Sequence, residues 1–186
     1  MVSLSLLSLP ILLSAVIVFV MSSIIHMLLP YHRNDFRKIP DEDKVIDALR
    51  PFNVPPGDYM VPHAGGLKEM QAPGFVEKMT KGPVAVITVI RSGPPSMGKS
   101  LMLWFVYCIV VGIFAAYIAS RALQPGDRYL SVFRFVGCTA FIGYAAALWQ
   151  NTIWYGRGWR STLKSTIDGF VYALLTAGTF GWLWPS

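Results

Sequence analysis

An uncharged apolar run at the start of the chain constrains the fold more than any other sequence feature. Residues 2–29 include no Lys, Arg, Asp or Glu. About 20 apolar residues are enough to cross the ~30 Å hydrocarbon core of a bilayer, so this run can span a membrane as one helix. Because no basic residue precedes the run and no Ala-x-Ala site closes it, the pattern predicts an uncleaved anchor rather than a signal peptide.

Three further apolar runs follow later in the chain. They cover residues 100–120, about 129–153 and about 167–184. Charge is almost absent from them, since the second of these runs carries only Arg134 and the last only Asp168. Trp and Tyr cluster at the ends of the runs, as they do at membrane surfaces. We therefore predict a mainly α, polytopic integral membrane protein with about four transmembrane helices.

The charged residues are concentrated between the first two runs. Of the 16 basic and 10 acidic residues, 18 lie between Arg33 and Lys99. Within this segment the patterns predict short helices at 41–50 and 73–81, an extended stretch at 51–62 and a strand at 84–90. The predicted organisation is a transmembrane anchor at 1–30, a small α/β extramembrane segment at 31–99 and a three-helix transmembrane bundle at 100–186.

Composition and charge placement argue against nucleic acid as a partner. Charged residues make up 14% of the chain, against about 25% in a typical soluble domain. The net charge is +6, but the basic residues flank the apolar runs instead of forming a stripe. Their distribution predicts a cytoplasmic 31–99 segment with both termini outside, in the inner (plasma) membrane of a bacterium. The expected partners are membrane lipids and either other proteins or further copies of the chain.

One stretch matches the phosphate-binding pattern G-x-x-x-x-G-K-[ST]. The pattern residues are Gly93, Gly98, Lys99 and Ser100. Pro94 and Pro95 lie inside the stretch and have no backbone N–H to offer a phosphate. No later strand ends in an acidic residue that would hold magnesium. We therefore interpret the stretch as the end of a membrane span anchored by Lys99, with nucleotide binding as a weak alternative.

Polar residues inside the apolar runs are candidates for a functional site, because a charge in hydrocarbon is costly. In the predicted topology four of them share one membrane leaflet: His26, Gln150, Asn151 and Asp168. Tyr172 lies on the same helix face as Asp168. Either these residues form a proton or headgroup pocket, or they make hydrogen bonds between helices. Arg134 enters from the opposite side, either extending to the interface or contacting a lipid phosphate or a partner.

No catalytic or metal-binding pattern is evident. The three histidines, His26, His32 and His63, form no i, i+4 pair and have no cysteine nearby, so no metal site and no cofactor are predicted. Small residues recur at i+4 spacing in the last run and predict a helix-packing seam. They are Gly169, Ala173, Ala177 and Gly181.

Two classes of function fit these observations. The absence of catalytic signatures and the small size favour an accessory, assembly or scaffold component of a membrane complex. The alternative is a transporter or lipid-active membrane enzyme that uses a pocket at Asp168 and His26.

Overall fold

Four long helices make up most of the computed structural model, which describes residues 2–186. They are α1 (Leu4–Leu28), α2 (Gly98–Ala122), α3 (Tyr129–Tyr155) and α4 (Trp159–Trp182). The first three are long and apolar enough to cross a membrane. Helix α4 has 24 residues. Its first turns carry Arg160, Lys164 and Asp168, and this helix is not one of the three that meet the criterion for crossing a membrane.

The helix ends occur where the sequence has turn residues. Helix α2 is followed by the turn around Pro125 and Gly126, and Gly126 has a φ of 78°. Helix α3 ends before Gly156, whose φ of 66° lies in the left-handed region that glycine adopts without strain. Both turns are short, so α2, α3 and α4 follow one another as antiparallel neighbours.

The long helices pack in a closed arrangement. Helix α1 contacts α2 and α4, and α3 contacts the same two helices from the other side. Two buried apolar clusters run through the centre, and each draws on all four helices. Representative members are Leu7, Ala116, Val136 and Phe180 in one cluster, and Val18, Cys108, Ala140 and Tyr172 in the other.

The small residues of α4 lie where this helix meets α3, which confirms the predicted seam. A Cβ atom placed on Gly169 would lie 2.8 Å from the Cβ of Ala145. One placed on Gly181 would lie 2.6 Å from the ring of Tyr129. A larger residue at either position would collide with α3, so glycine permits the close contact between the two helices.

Outside the core, the four helices present an apolar surface. On α1 the exposed side chains include Leu6, Leu9, Leu12, Val16 and Val20. On α2 they include Leu103, Val106, Val110, Phe114 and Ile118. Contiguous exposed apolar surface of this extent is unusual for a soluble monomer and is typical of a protein that contacts lipid or a partner.

Residues 37–95 form a second unit. The predicted helices are present at Glu42–Leu49 and Pro73–Lys81, with a single extra turn at Leu67–Met70. The predicted strand is present as β2 (Ala85–Val89). It pairs antiparallel with β1 (Gly57–Val61), which the sequence did not predict, since we expected only extended chain there.

This second unit has no core of its own. None of residues 37–95 is buried. Several large apolar side chains are strongly exposed, among them Phe52, Leu67 and Ile90. The structure also groups residues 31–36 with the long helices instead of with the 37–95 unit.

Candidate functional site: a polar network and a cavity at one end of the bundle

A histidine shared by two carboxylates lies where α1 ends. The chain leaves α1 through a π-helical turn (Ile24–Leu28) and a 3-10 turn (Pro30–His32). These turns bring His32 to the first turns of α4, where its Nε2 lies 2.8 Å from Oδ2 of Asp168. The Nδ1 atom of the same ring lies 2.5 Å from Oδ2 of Asp35.

Lys164 completes this network from α4. Its ammonium group donates to the backbone oxygen of Tyr31 at 2.7 Å and to Oδ1 of Asp35 at 2.8 Å. Ionised carboxylate oxygens only accept, so if both acids are ionised, His32 bonds both of them with a proton on each ring nitrogen. In that state two positive and two negative charges balance, which is the condition for burying such groups together.

The carboxyl of Asp35 is held in its charged form. Burial alone would raise the pKa of Asp35, but the hydrogen bonds from Lys164 and His32 outweigh that effect and lower its pKa below the usual value. The segment 30–36 is therefore bound to α4 through charge-assisted bonds, which are stronger than neutral ones.

His26 lies directly against the network. Its ring stacks on that of His32, with centroids 4.4 Å apart and an angle of 6° between the planes. Its Nδ1 lies 3.0 Å from the backbone oxygen of Ser22. Because that oxygen can only accept, Nδ1 is the donor in this contact.

A cavity of about 300 Å³ opens beside these residues, and all four long helices contribute to it. Its polar lining is Ser22, Ser23, His26, Ser165, Asp168 and Tyr172, and the rest is apolar or aromatic, including Trp104, Tyr144 and Leu148. Two π-helical turns supply wall residues, since His26 lies in Ile24–Leu28 and Tyr144 in Ile142–Ala146. Such turns often occur at functional sites.

One residue of the cavity lining carries a polar group that the described residues leave without a partner. Tyr172 is 3% exposed, and its hydroxyl makes no hydrogen bond within residues 2–186. By contrast, the indole N–H of Trp104 donates to Oγ of Ser22 at 2.7 Å. A buried hydroxyl without a partner is unfavourable, so a ligand that forms a hydrogen bond with it gains about 0.5–1.5 kcal/mol.

The structure brings together some of the residues predicted to form the pocket. His26, Asp168 and Tyr172 line the same cavity. Gln150 is exposed and Asn151 half-buried, and neither belongs to the cavity lining. The π-helical turn Ile142–Ala146 precedes both residues, and a turn of this kind changes the phase of a helix.

Arg134 lies at a separate cavity of about 310 Å³ between α3 and α4. The other lining residues are apolar or small, among them Phe133, Phe170 and Leu174. Arg134 is itself exposed. A cation beside an open apolar groove suits both interpretations given to it from the sequence, an interfacial position or contact with a lipid phosphate.

The stretch that matches the phosphate-binding pattern runs into helix α2. The helix begins at Gly98, with Lys99 and Ser100 exposed in its first turn. Gly93 lies in the preceding unit, which has a two-stranded antiparallel sheet instead of the parallel sheet that a phosphate-binding loop needs.

The sequence analysis missed three members of the network: His32, Asp35 and Lys164. A local signal for them exists, because His32 and Asp35 are three residues apart and Lys164 precedes Asp168 by one helical turn. The contact between the pair His32 and Asp35 and the pair Lys164 and Asp168 joins residues more than 120 positions apart. No local sequence pattern can show such a contact.

Comparisons of the chain with protein-family models, with curated proteins and with solved structures found no match.

Proposed function

We propose that the chain is a four-span integral membrane protein that binds an amphiphilic molecule in the cavity at one end of its helix bundle. The observation that carries this proposal is the unpartnered hydroxyl of Tyr172, a residue that lines a cavity whose accessible surface is largely apolar. A few polar groups in an apolar pocket is the usual composition of a ligand site.

Helix α4 is assigned as the fourth span on grounds of length and packing. Its 24 residues extend about 36 Å at 1.5 Å per residue, which exceeds the ~30 Å hydrocarbon core. Arg160 and Lys164 lie in its first turns, from which long basic side chains reach the interface. The network holds Asp168 near that same end, so its charge does not enter the bilayer centre unpaired.

The ligand is assigned as amphiphilic because of the cavity wall. Its polar groups, Ser22, His26 and Tyr172, suit a headgroup with hydrogen-bonding atoms. Its apolar part, which includes Met27, Leu101 and Leu148, suits a hydrocarbon chain. A cavity of this kind fits both alternatives stated above, transport and chemistry on a lipid.

The test compares retained lipid in purified variants. The protein is extracted in mild detergent, washed, and its bound lipid quantified by mass spectrometry. In Tyr172→Phe the ring stays and one hydrogen bond is lost, about 0.5–1.5 kcal/mol, so retention should fall about threefold to tenfold. Leu148→Trp fills the cavity and should abolish retention.

Two controls separate the cavity from lipid on the outer surface. Tyr117→Phe removes a hydroxyl from an exposed tyrosine of α2, and Ile142→Trp adds an indole to an exposed position of α3. Neither should change the retained lipid. Equal retention in Leu148→Trp and Ile142→Trp would contradict the proposal.

A second candidate function, an accessory or scaffold role, is supported by the second unit. A 59-residue unit in which no residue is buried exposes apolar side chains that a partner protein with an apolar surface can cover. In this role, a stoichiometric partner should cross-link to residues 37–95 in the wild type. The double variant Leu67→Glu and Ile90→Glu should no longer retain that partner. Purification of the wild type as a lone species would count against this role.

The orientation proposed for this protein has the 37–95 unit in the cytoplasm and both termini outside. The basic residues that flank α1, α2 and the loop before α4 support this assignment. Reporter fusions at Gly65 and Ser186 are expected to show opposite sides, with Gly65 inside. An external Gly65 reporter would reverse the orientation.

A further inference from the structure

Three metal-ligating side chains from distant parts of the chain meet at the wall of the cavity. They are His26, His32 and Asp168, and one potential ligand atom from each lies within 4.8 Å of the others. The side chains of His32 and Asp168 are only 12% and 6% exposed. His26 and Asp168 also line the cavity, so the cluster is accessible from it.

Both histidines already have the second contact that metal-bound histidines usually make. A ligating imidazole typically donates its other N–H to a carboxylate or a backbone oxygen, which fixes the tautomer. Nδ1 of His32 faces Asp35 at 2.5 Å, and Nδ1 of His26 faces the Ser22 oxygen at 3.0 Å. In each ring Nε2 is the nitrogen that remains to bind an ion.

A cation must lie between the ring of His32 and Asp168. Nε2 of His32 lies 2.8 Å from a carboxylate oxygen of Asp168, a contact that repels unless a proton or a metal ion joins the two atoms. A proton bridges only these two atoms. A metal ion can also use the third donor, His26, whose ring stacks on that of His32.

We propose that His26, His32 and Asp168 bind a divalent transition-metal ion of the zinc type, with its fourth position open to the cavity. Imidazole nitrogen with one carboxylate is a ligand set that zinc accepts, and magnesium and calcium prefer oxygen alone. With bonds of ~2.0–2.1 Å, tetrahedral ligand atoms lie about 3.3 Å apart. The exposed His26 ring must therefore turn inward, and His32 and Asp168 must separate by about half an ångström.

The inference does not depend on the amphiphile, because its three donors are defined without Tyr172. The test uses the full chain in detergent, stripped with a chelator and titrated with Zn²⁺ alone against a chromophoric competitor. The expected result is one tight site per chain. Co²⁺ in the same site should give the intense visible bands of a tetrahedral ion with nitrogen and oxygen ligands.

Three variants identify the site. His26→Gln removes an exposed ligand without disturbing the buried pair, and should weaken Zn²⁺ binding by at least about 100-fold, since loss of a second-sphere partner alone costs about 10–100-fold. Asp35→Asn removes such a second-sphere partner and should weaken Zn²⁺ binding by about 10–100-fold. His63→Gln alters an exposed histidine of the other unit and should change nothing.

If the wild type binds zinc no more tightly than His26→Gln does, the proposal is wrong. A proton would then be the only cation at this position. Equal weakening in His63→Gln would also overturn it, because the ion would then bind adventitiously. Tyr172→Phe should retain full zinc affinity, so failure of the metal site and failure of the lipid pocket are distinguishable.

Discussion

Gly169 is the position where the packing of α4 and the geometry of the site are most closely linked. It directly follows Asp168, and a Cβ there would lie 2.8 Å from the Cβ of Ala145 and 3.3 Å from atoms of Tyr144. Carbon atoms pack best at about 3.5–4.0 Å, and these neighbours cannot rotate away. Overpacking of this kind lowers the free energy of unfolding by about 1–3 kcal/mol. The higher helix propensity of alanine raises it by about 1 kcal/mol.

Gly178 supplies the matched control for Gly169→Ala. A Cβ there would lie 3.7 Å from the Tyr129 hydroxyl, an ordinary contact. The gain in propensity is the same at both positions of α4, so the free energies of unfolding of the two variants should differ by about 1–3 kcal/mol from the clash alone. Gly178→Ala should be the more stable.

The assay uses a thiol that the bundle protects. Cys108 is buried and Cys138 exposed, so in a Cys138→Ser background maleimide labelling of Cys108 reports opening of the core. Labelling across a temperature series should show earlier loss of protection in Gly169→Ala than in Gly178→Ala. If the two variants protect Cys108 equally, α4 does not pack against α3 as described.

Two further predictions concern contacts at the same end of the bundle. Lys164→Met removes two of the bonds that join the segment 30–36 to α4 and leaves the contact between His32 and Asp168. Backbone hydrogen exchange in that segment should accelerate about tenfold, as expected for loss of ~1.5 kcal/mol. In Lys99→Met, outside the network, the exchange rate should stay unchanged. Trp104→Phe removes the indole donor to Ser22 and should lower the free energy of unfolding by about 0.5–1.5 kcal/mol in the Cys108 assay. Tyr117→Phe is the control. If Trp104→Phe lowers the free energy of unfolding no more than this control does, the bond does not stabilise the bundle.

The helices were predictable because their signal is local. Apolar runs long enough to span a bilayer predict α1, α2 and α3, and the structure has helices there within a few residues of the expected ends. The short helix at Pro73–Lys81 and the strand β2 were also confirmed. Strand β1 was missed because prolines on both sides of Gly57–Val61 weaken its strand pattern.

The site was only partly predictable because it depends on how the chain turns after α1. Depth in the membrane suffices to place His26 and Asp168 at the same end. It does not show that the chain folds back at residues 30–36 to bring His32 between Asp35 and Asp168. Nor does it show the π-helical turn at Ile142–Ala146, which accompanies the exclusion of Gln150 and Asn151 from the cavity.

An experimental density map of the protein purified with its native lipids would show whether the cavity beside Tyr172 holds an amphiphile. We expect a connected density that fills the cavity and ends within hydrogen-bonding distance of the Tyr172 hydroxyl. A cavity that is empty, or closed by repacking of Trp104 and Tyr172, would contradict the proposal.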